Sequence, residues 1–129
     1  DTGAWIALAE EQDPLHARAV DHWEVAHRAG AKLLTSIPVV IETFTFLDRR
    51  GSRELALRWK RSLEELPRFA ILPLPLPLLQ QAWRYFDRKD LHQLSLVDAT
   101  SFALMREHGV RTVFAFDTHF GAAGFRYLA

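Results

Sequence analysis

The chain contains no cysteine, which excludes both a disulfide framework and a thiolate zinc site. This composition is compatible with a reducing cytoplasm, where we expect the protein to reside. Long hydrophobic runs are also absent. The longest, residues 69–79, holds eleven residues and three prolines, so we expect no membrane span and no membrane partner. An excess of charge is missing as well, because sixteen basic residues balance sixteen acidic ones and global charge therefore indicates no polyanionic partner.

Several motifs that mark common active sites do not occur. The chain has no GxGxxG or GxxxxGK[ST] phosphate-binding loop and no GxSxG nucleophile elbow. It contains six histidines, but no two of them stand four residues apart and no HExxH is found. This pattern argues against a zinc hydrolase.

The composition that is present predicts one folded domain over residues 1–129, because 49% hydrophobic and 12% aromatic residues can fill a sizeable core. Apolar periodicity, caps and glycine stops predict helices at residues 4–10, 14–29, 38–50, 52–66, 78–88 and 95–108. β-branched and aromatic runs predict strands at residues 32–36, 69–72, 111–116 and 125–128. This alternation predicts an α/β fold with a mainly parallel sheet. Because such a sheet normally opens with a strand, we expect one to precede Asp1.

Two aspartates stand where sites form in α/β folds. Asp117 follows the predicted strand 111–116, at the carboxyl end where ligands gather. Its alternative role is to cap the turn that follows. Asp98 stands three residues after Ser95, which is the spacing of a capping box. The apolar residues around Asp98 indicate a buried helix start, however, and a buried acid needs a partner.

Two further acids complete the candidate set. Glu42 lies one turn into the helix that Pro38 opens, among apolar neighbours. It is either the exposed position of that helix or an inward-facing ligand. Asp1, at the first position, says little alone. Because gathered carboxylates repel one another, a chain that brings four together usually does so to bind a hard divalent cation.

Together the four acids and their flanking residues resemble the PIN domain, and within it the toxin nucleases of the VapC type. The resemblance covers nearly the whole chain, and its last two segments are the most specific. The four segments are Asp1-Thr2-Gly3-Ala4-Trp5, Pro38-Val39-Val40-Ile41-Glu42, Ser95-Leu96-Val97-Asp98-Ala99 and Phe116-Asp117-Thr118-His119-Phe120. The chain departs from the family's pattern in the missing first strand.

The resemblance implies a three-layer α/β/α sandwich and a ribonuclease that depends on Mg²⁺ or Mn²⁺. It also implies a homodimer that a small antitoxin holds inactive. On this basis we expect Asp1 and Asp98 to be the principal metal ligands, and Asp117 to be a further ligand, direct or through water. We expect Glu42 to orient the attacking water. Thr2 and Thr118 are the expected hydrogen-bond partners of these ligands.

Other functions stay open at this point. An aspartyl-phosphate phosphatase would carry a second aspartate two residues after the first, where this chain has Gly3. A receiver-like signalling domain would carry paired acids and a lysine at a late strand end. A housekeeping RNA-processing PIN nuclease and a non-catalytic PIN scaffold are the remaining alternatives, although a scaffold is expected to have lost acids that this chain keeps.

The sequence also predicts self-association. Phe44, Phe46 and Leu47 share one predicted helix, and Trp59 lies on the next. If these four side chains form an exposed apolar patch, a second copy of the chain is its expected partner.

Overall fold

Helices and short strands alternate along residues 1–128, the part of the chain that this computed structural model describes. The α-helices are α1 Thr2–Ala9, α2 His16–Arg28, α3 Ile37–Phe46, α4 Arg53–Glu64, α5 Leu76–Trp83, α6 Leu96–Glu107 and α7 His119–Ala122. The strands are β1 Leu33–Ser36, β2 Phe69–Leu72, β3 Thr112–Val113 and β4 Arg126–Tyr127. A π-helical turn, Leu47–Gly51, extends α3, and a 3₁₀ turn, Arg84–Asp87, extends α5.

The strands form two parallel pairs. β1 pairs with β2, so that Leu33 lies opposite Phe69, and β3 pairs with β4, so that Val113 lies opposite Tyr127. Residues of β1 and β3 both line one cavity of about 120 Å³, which Asp1 also borders. The predicted parallel arrangement is confirmed.

Serines cap three of the helices, α3, α4 and α6. Ser36, Ser52 and Ser95 each accept a hydrogen bond from the N–H three residues later, at 3.3, 3.0 and 3.0 Å. Each hydroxyl satisfies a main-chain donor that has no partner inside its helix. The predicted starts of α4 and α6 are therefore correct, and α3 begins one residue before Pro38.

The predicted starts of α1, α2 and α5 each differ from the structure by two residues, and α5 begins at Leu76. Helix α1 begins at Thr2 because Asp1 caps it. Asp13 does not cap α2; its carboxylate accepts from the N–H of Leu15 at 2.8 Å and holds a turn, and the helix begins only at His16. The local sequence supports either role for an aspartate before proline.

The predicted strand 111–116 is also wrong in length, because only Thr112–Val113 is strand. Its partner β4 is two residues long, so the residues after Val113 have no strand residues of β4 to pair with. The carbonyl of Phe114 instead accepts a hydrogen bond from the main-chain nitrogen of Asp1 at 2.7 Å.

Two apolar clusters form the core. One packs α5, α6 and α7 around Phe102 and Phe120, which are both fully buried. The other lies between α3 and α4 and contains Leu47 and Trp59, which are 1% and 5% exposed, with Phe44 packed against them. The predicted apolar patch is thus largely core, because the π-helical turn folds α4 back onto α3, and of its four residues only Phe46 is exposed.

Helices long and apolar enough to cross a membrane are not found among residues 1–128.

Candidate metal centre

Asp98 lies in the first turn of α6, where its spacing from Ser95 left a capping-box role as the alternative to a metal ligand. Its own N–H donates to Ser95 Oγ at 3.0 Å, which is one half of a capping box. The Asp98 carboxylate is only 14% exposed, and its Oδ2 lies 3.8 Å from Nδ1 of His119. Ser95 therefore caps α6, while the Asp98 carboxylate faces the loop that leads into α7.

Asp117 sits in that loop, in the segment that follows β3. One carboxylate oxygen, Oδ1, accepts from the N–H of His119 at 2.9 Å and so holds the turn before α7. The carbonyl of Asp117 accepts from the hydroxyl of Tyr127 at 2.5 Å, and that hydroxyl accepts from the N–H of Gly121 at 2.8 Å. Asp117 thus has the turn-capping role that its position suggested, and these bonds fix its backbone.

His119 was not among the predicted site residues, yet it completes the cluster. Side-chain atoms of Asp98, Asp117 and His119 that can bind a metal all lie within 4.8 Å of one another. The three residues come from two elements, the start of α6 and the start of α7. A signal was present in the sequence, since His119 stands two residues after Asp117. Neither helical spacing nor HExxH marks a histidine whose partner is 21 residues away, at Asp98.

The pKa of Asp98 reflects its burial and the other acids near it. The pKa of the Asp98 carboxyl is raised to about 6, first by burial and then by the negative charges of Asp117 and Glu42. His119 acts in the opposite direction.

Glu42 approaches the cluster from α3. Its helix packs against α6. Its charge acts on Asp98, as described above, and its side chain is half-buried rather than fully exposed. The structure therefore brings Glu42 towards Asp98, although Glu42 is not one of the three residues whose ligand atoms lie within 4.8 Å.

Asp1 borders the site through its backbone. Its main-chain nitrogen donates to the carbonyl of Phe114 at 2.7 Å, in the segment that leads to Asp117. Its carboxylate caps α1 by accepting from the N–H of Ala4 at 2.9 Å and is not part of the three-residue cluster. The structure thus places Asp1 beside the acids while giving its carboxylate a helix-capping bond.

The two threonines behave differently from each other. Thr2 is buried, and within residues 1–128 its hydroxyl has no hydrogen-bond partner. Thr118 is exposed, and its side chain makes no capping bond to α7. A buried hydroxyl without a partner costs free energy, so Thr2 has unused bonding capacity next to Asp1.

The donor set fits a divalent cation. Two carboxylates supply hard oxygen ligands and one imidazole supplies nitrogen, which together suit small divalent ions. The raised pKa of Asp98 shows that its negative charge is poorly compensated by the protein itself. A bound cation would supply the missing positive charge.

Comparison with known proteins shows the family to which the chain belongs. The family model described as PIN domain matches residues 1–126. The chain is 37% identical over 126 residues to the 23S rRNA-specific endonuclease VapC20 of Mycobacterium tuberculosis, from strains CDC 1551 / Oshkosh and H37Rv, covering 97% of this chain and 92% of each relative. The crystal structure of Mycobacterium tuberculosis VapC20, described as a Sarcin-Ricin loop cleaving toxin, superimposes with a TM-score of 0.83 at 34% identity, covering 96% of this chain and 92% of that one.

The family model spans all four acidic segments, and the relatives are matched along nearly their full length. The chain belongs to the PIN-domain family and, within it, to the VapC-type proteins.

Proposed function

We propose that the protein is a metal-dependent endoribonuclease that hydrolyses phosphodiester bonds of ribosomal RNA, as the toxin of a toxin–antitoxin pair. The observation that carries the proposal is the convergence of Asp98, Asp117 and His119 at one place, with Glu42 close enough to act on Asp98. The relatives support the substrate class, because their names describe cleavage of 23S rRNA and of the sarcin–ricin loop.

Each site residue has its own role in the proposed reaction. Asp98 and Asp117 hold a Mg²⁺ or Mn²⁺ ion through carboxylate oxygen. In Asp117, Oδ1 accepts the hydrogen bond of the turn, and Oδ2 is the oxygen that binds the ion. When bound, the ion lowers the pKa of a coordinated water and neutralises charge on the scissile phosphate. Glu42 lies on the opposite helix, from which it orients the water by accepting its proton.

Asp1 and the two threonines have supporting roles in the proposal. Asp1 joins the ligands either directly, by releasing its bond to Ala4, or through a water molecule. The unpartnered hydroxyl of Thr2 is placed next to Asp1 to hold such a water. Thr118 is exposed, so a contact to the RNA suits it better than the ligand-supporting role that its sequence position suggested.

The partners follow from the same activity. A nuclease that cuts ribosomal RNA harms the cell that makes it, so we propose that a cognate antitoxin covers the site in the resting state. We also propose a homodimer and action in the cytoplasm, where ribosomal RNA is found.

A cleavage assay tests the proposal. The protein is incubated with an end-labelled RNA hairpin that carries a sarcin–ricin loop, in Mg²⁺ or Mn²⁺, in EDTA, and after metal is restored. We expect cleavage only with metal. Asp98→Asn should lose it, whereas Asp90→Asn, which removes an exposed carboxylate paired with Arg88, should keep it. Cleavage that persists in EDTA would show that the metal mechanism is wrong.

A further inference from the structure

His119 is held in an orientation that leaves one of its nitrogens facing the acids. Its Nε2 lies 2.7 Å from the carbonyl oxygen of His92. A carbonyl oxygen only accepts, so Nε2 must carry a proton and donate it. In the neutral ring this assigns the lone pair to Nδ1, the atom on the side of Asp98.

Nδ1 of His119 forms no direct hydrogen bond with Asp98. The distance from Nδ1 to Oδ2 of Asp98 is 3.8 Å, which is too long for a hydrogen bond. Two ligands of one ion, each about 2.0–2.2 Å from it, lie no more than roughly 4.4 Å apart. The observed separation therefore suits two atoms that share an ion better than two atoms that bond each other.

The surroundings of the ring resemble those of histidines that bind metals. Such a ligand almost always donates its second ring N–H to a carboxylate or a main-chain carbonyl, which fixes its tautomer and orientation. The carbonyl of His92 occupies that position here. The main-chain N–H of His119 is also held, by Asp117 Oδ1, so both the backbone and the ring of His119 are fixed relative to the acids.

We propose that Nδ1 of His119 is a direct ligand of the ion held by Asp98 and Asp117, and that this nitrogen makes the site prefer Mn²⁺ to Mg²⁺. The inference rests on the proposed metal-dependent function. Mg²⁺ is hard and binds through oxygen, whereas first-row transition ions accept imidazole nitrogen as well. Replacing the imidazole should therefore weaken Mn²⁺ binding more than Mg²⁺ binding.

Electron paramagnetic resonance of the Mn²⁺-loaded protein tests the ligand directly. Electron-spin-echo modulation from a coordinated ¹⁴N should appear in the wild type and vanish in His119→Gln. Glutamine is chosen because its amide can keep the donor bond to the carbonyl of His92. His92→Gln is the matched control, since His92 takes part through its main chain and its side chain is exposed.

Calorimetric titration of the same three proteins gives the affinities. In His119→Gln we expect the Mn²⁺ dissociation constant to rise about tenfold or more, and the Mg²⁺ constant to change less than roughly threefold. His92→Gln should match the wild type for both ions. A metal-free melting temperature of His119→Gln within a few degrees of the wild type would show that its fold is kept.

The outcomes separate this inference from the proposed function. Mn²⁺ that binds without nitrogen modulation, or that binds equally to the wild type and His119→Gln, overturns the ligand role of His119 and leaves the metal-dependent nuclease standing. A wild type that binds neither ion and cleaves RNA in EDTA overturns the proposed function itself. Nitrogen modulation that is lost in His92→Gln but kept in His119→Gln would assign the wrong histidine and also overturns the inference.

Discussion

At the scale of single residues, Asp98 is the acid whose environment is most changed by folding. Its pKa rises from the ordinary 3.8 to about 6, first through burial and then through Asp117 and Glu42. A folded state with the higher pKa binds more protons than the unfolded chain. The free energy of unfolding of the metal-free protein therefore falls as pH rises through the window from about 4 to about 6.

Replacing Asp98 with asparagine should remove this penalty. At pH 7 we expect the metal-free Asp98→Asn protein to be more stable than the wild type, by at most roughly 3 kcal/mol for a shift of this size. Below about pH 4 the two should be alike, because the aspartate is then neutral as well. Urea unfolding between pH 4 and 7.5 in EDTA measures the difference.

Ser95→Ala is the control for this experiment. It removes the real cap of α6 and should cost about 1 kcal/mol at every pH, with little loss of RNA cleavage. If Asp98→Asn behaves in the same way, destabilised and active, Asp98 is a capping residue and not a site residue.

A site residue can be predicted from the sequence when the residues next to it along the chain define its position. Asp98 and Asp117 could be predicted as site residues from the sequence, because each stands next to a cap or a strand end that its neighbours define. His119 could not be predicted in this way, because its role depends on the fold bringing the start of α7 to the start of α6. The capping bond of the Asp1 carboxylate to Ala4 likewise became visible only with the helix that it caps.

At the scale of elements, the capped helices α4 and α6 and the strands β1 and β2 were predicted to within one or two residues, whereas β3 was predicted too long. Ser52, Ser95 and Gly109 mark α4 and α6 because caps act over three or four residues and leave their pattern in the chain. The strand 111–116 was predicted from its β-branched and aromatic residues, but strand length is decided by the partner, and β4 offers only two residues. No local pattern contains that information.

Gly109 provides a test of the helix stop. It follows α6 with a φ of +66°, and Val110 donates to the carbonyl of Met105 at 2.8 Å, which closes the helix end. A Cβ added at Gly109 would meet nothing within 4 Å, so the cost of Gly109→Ala is that of the backbone alone. We expect a loss of about 1 kcal/mol.

Chemical denaturation measures this loss, and Gly109→Asn should lose less, because asparagine tolerates the left-handed region better than alanine. Cleavage should be unchanged in both variants, since Asp98 lies at the other end of α6. Equal stability of the alanine variant and the wild type would contradict the assigned helix end.

At the scale of the whole molecule, the apolar patch from which self-association was predicted is largely buried within the chain. Of Phe44, Phe46, Leu47 and Trp59 only Phe46 is exposed, because spacing along two helices does not say whether the helices pack on each other. Exposed apolar side chains remain on α3, at Ile37, Ile41 and Phe46, and others lie on α5 and the turn that follows it. Leu76 and Trp83 on α5 are 64% and 51% exposed, and Phe86 in the following 3₁₀ turn is 47% exposed.

The rings of Trp83 and Phe86 are in contact, with centroids 6.4 Å apart. Large aromatic side chains that are packed together at a surface are typical anchors of protein interfaces. A two-fold dimer would place this surface against its own copy and bury both rings. We therefore locate the proposed homodimer interface on α5 and the 3₁₀ turn.

Light scattering after size exclusion tests the interface. At micromolar concentration we expect twice the chain mass for the wild type and the chain mass for Trp83→Glu, because an unpaired carboxylate would be buried at the centre of the interface. Ile41→Glu is the matched control. Ile41 is an apolar residue of α3 that is 61% exposed, so its replacement should leave the dimer intact. A monomeric wild type would contradict the dimer, and a dimer lost only in Ile41→Glu would move the interface to α3, next to Glu42 and the metal-binding acids.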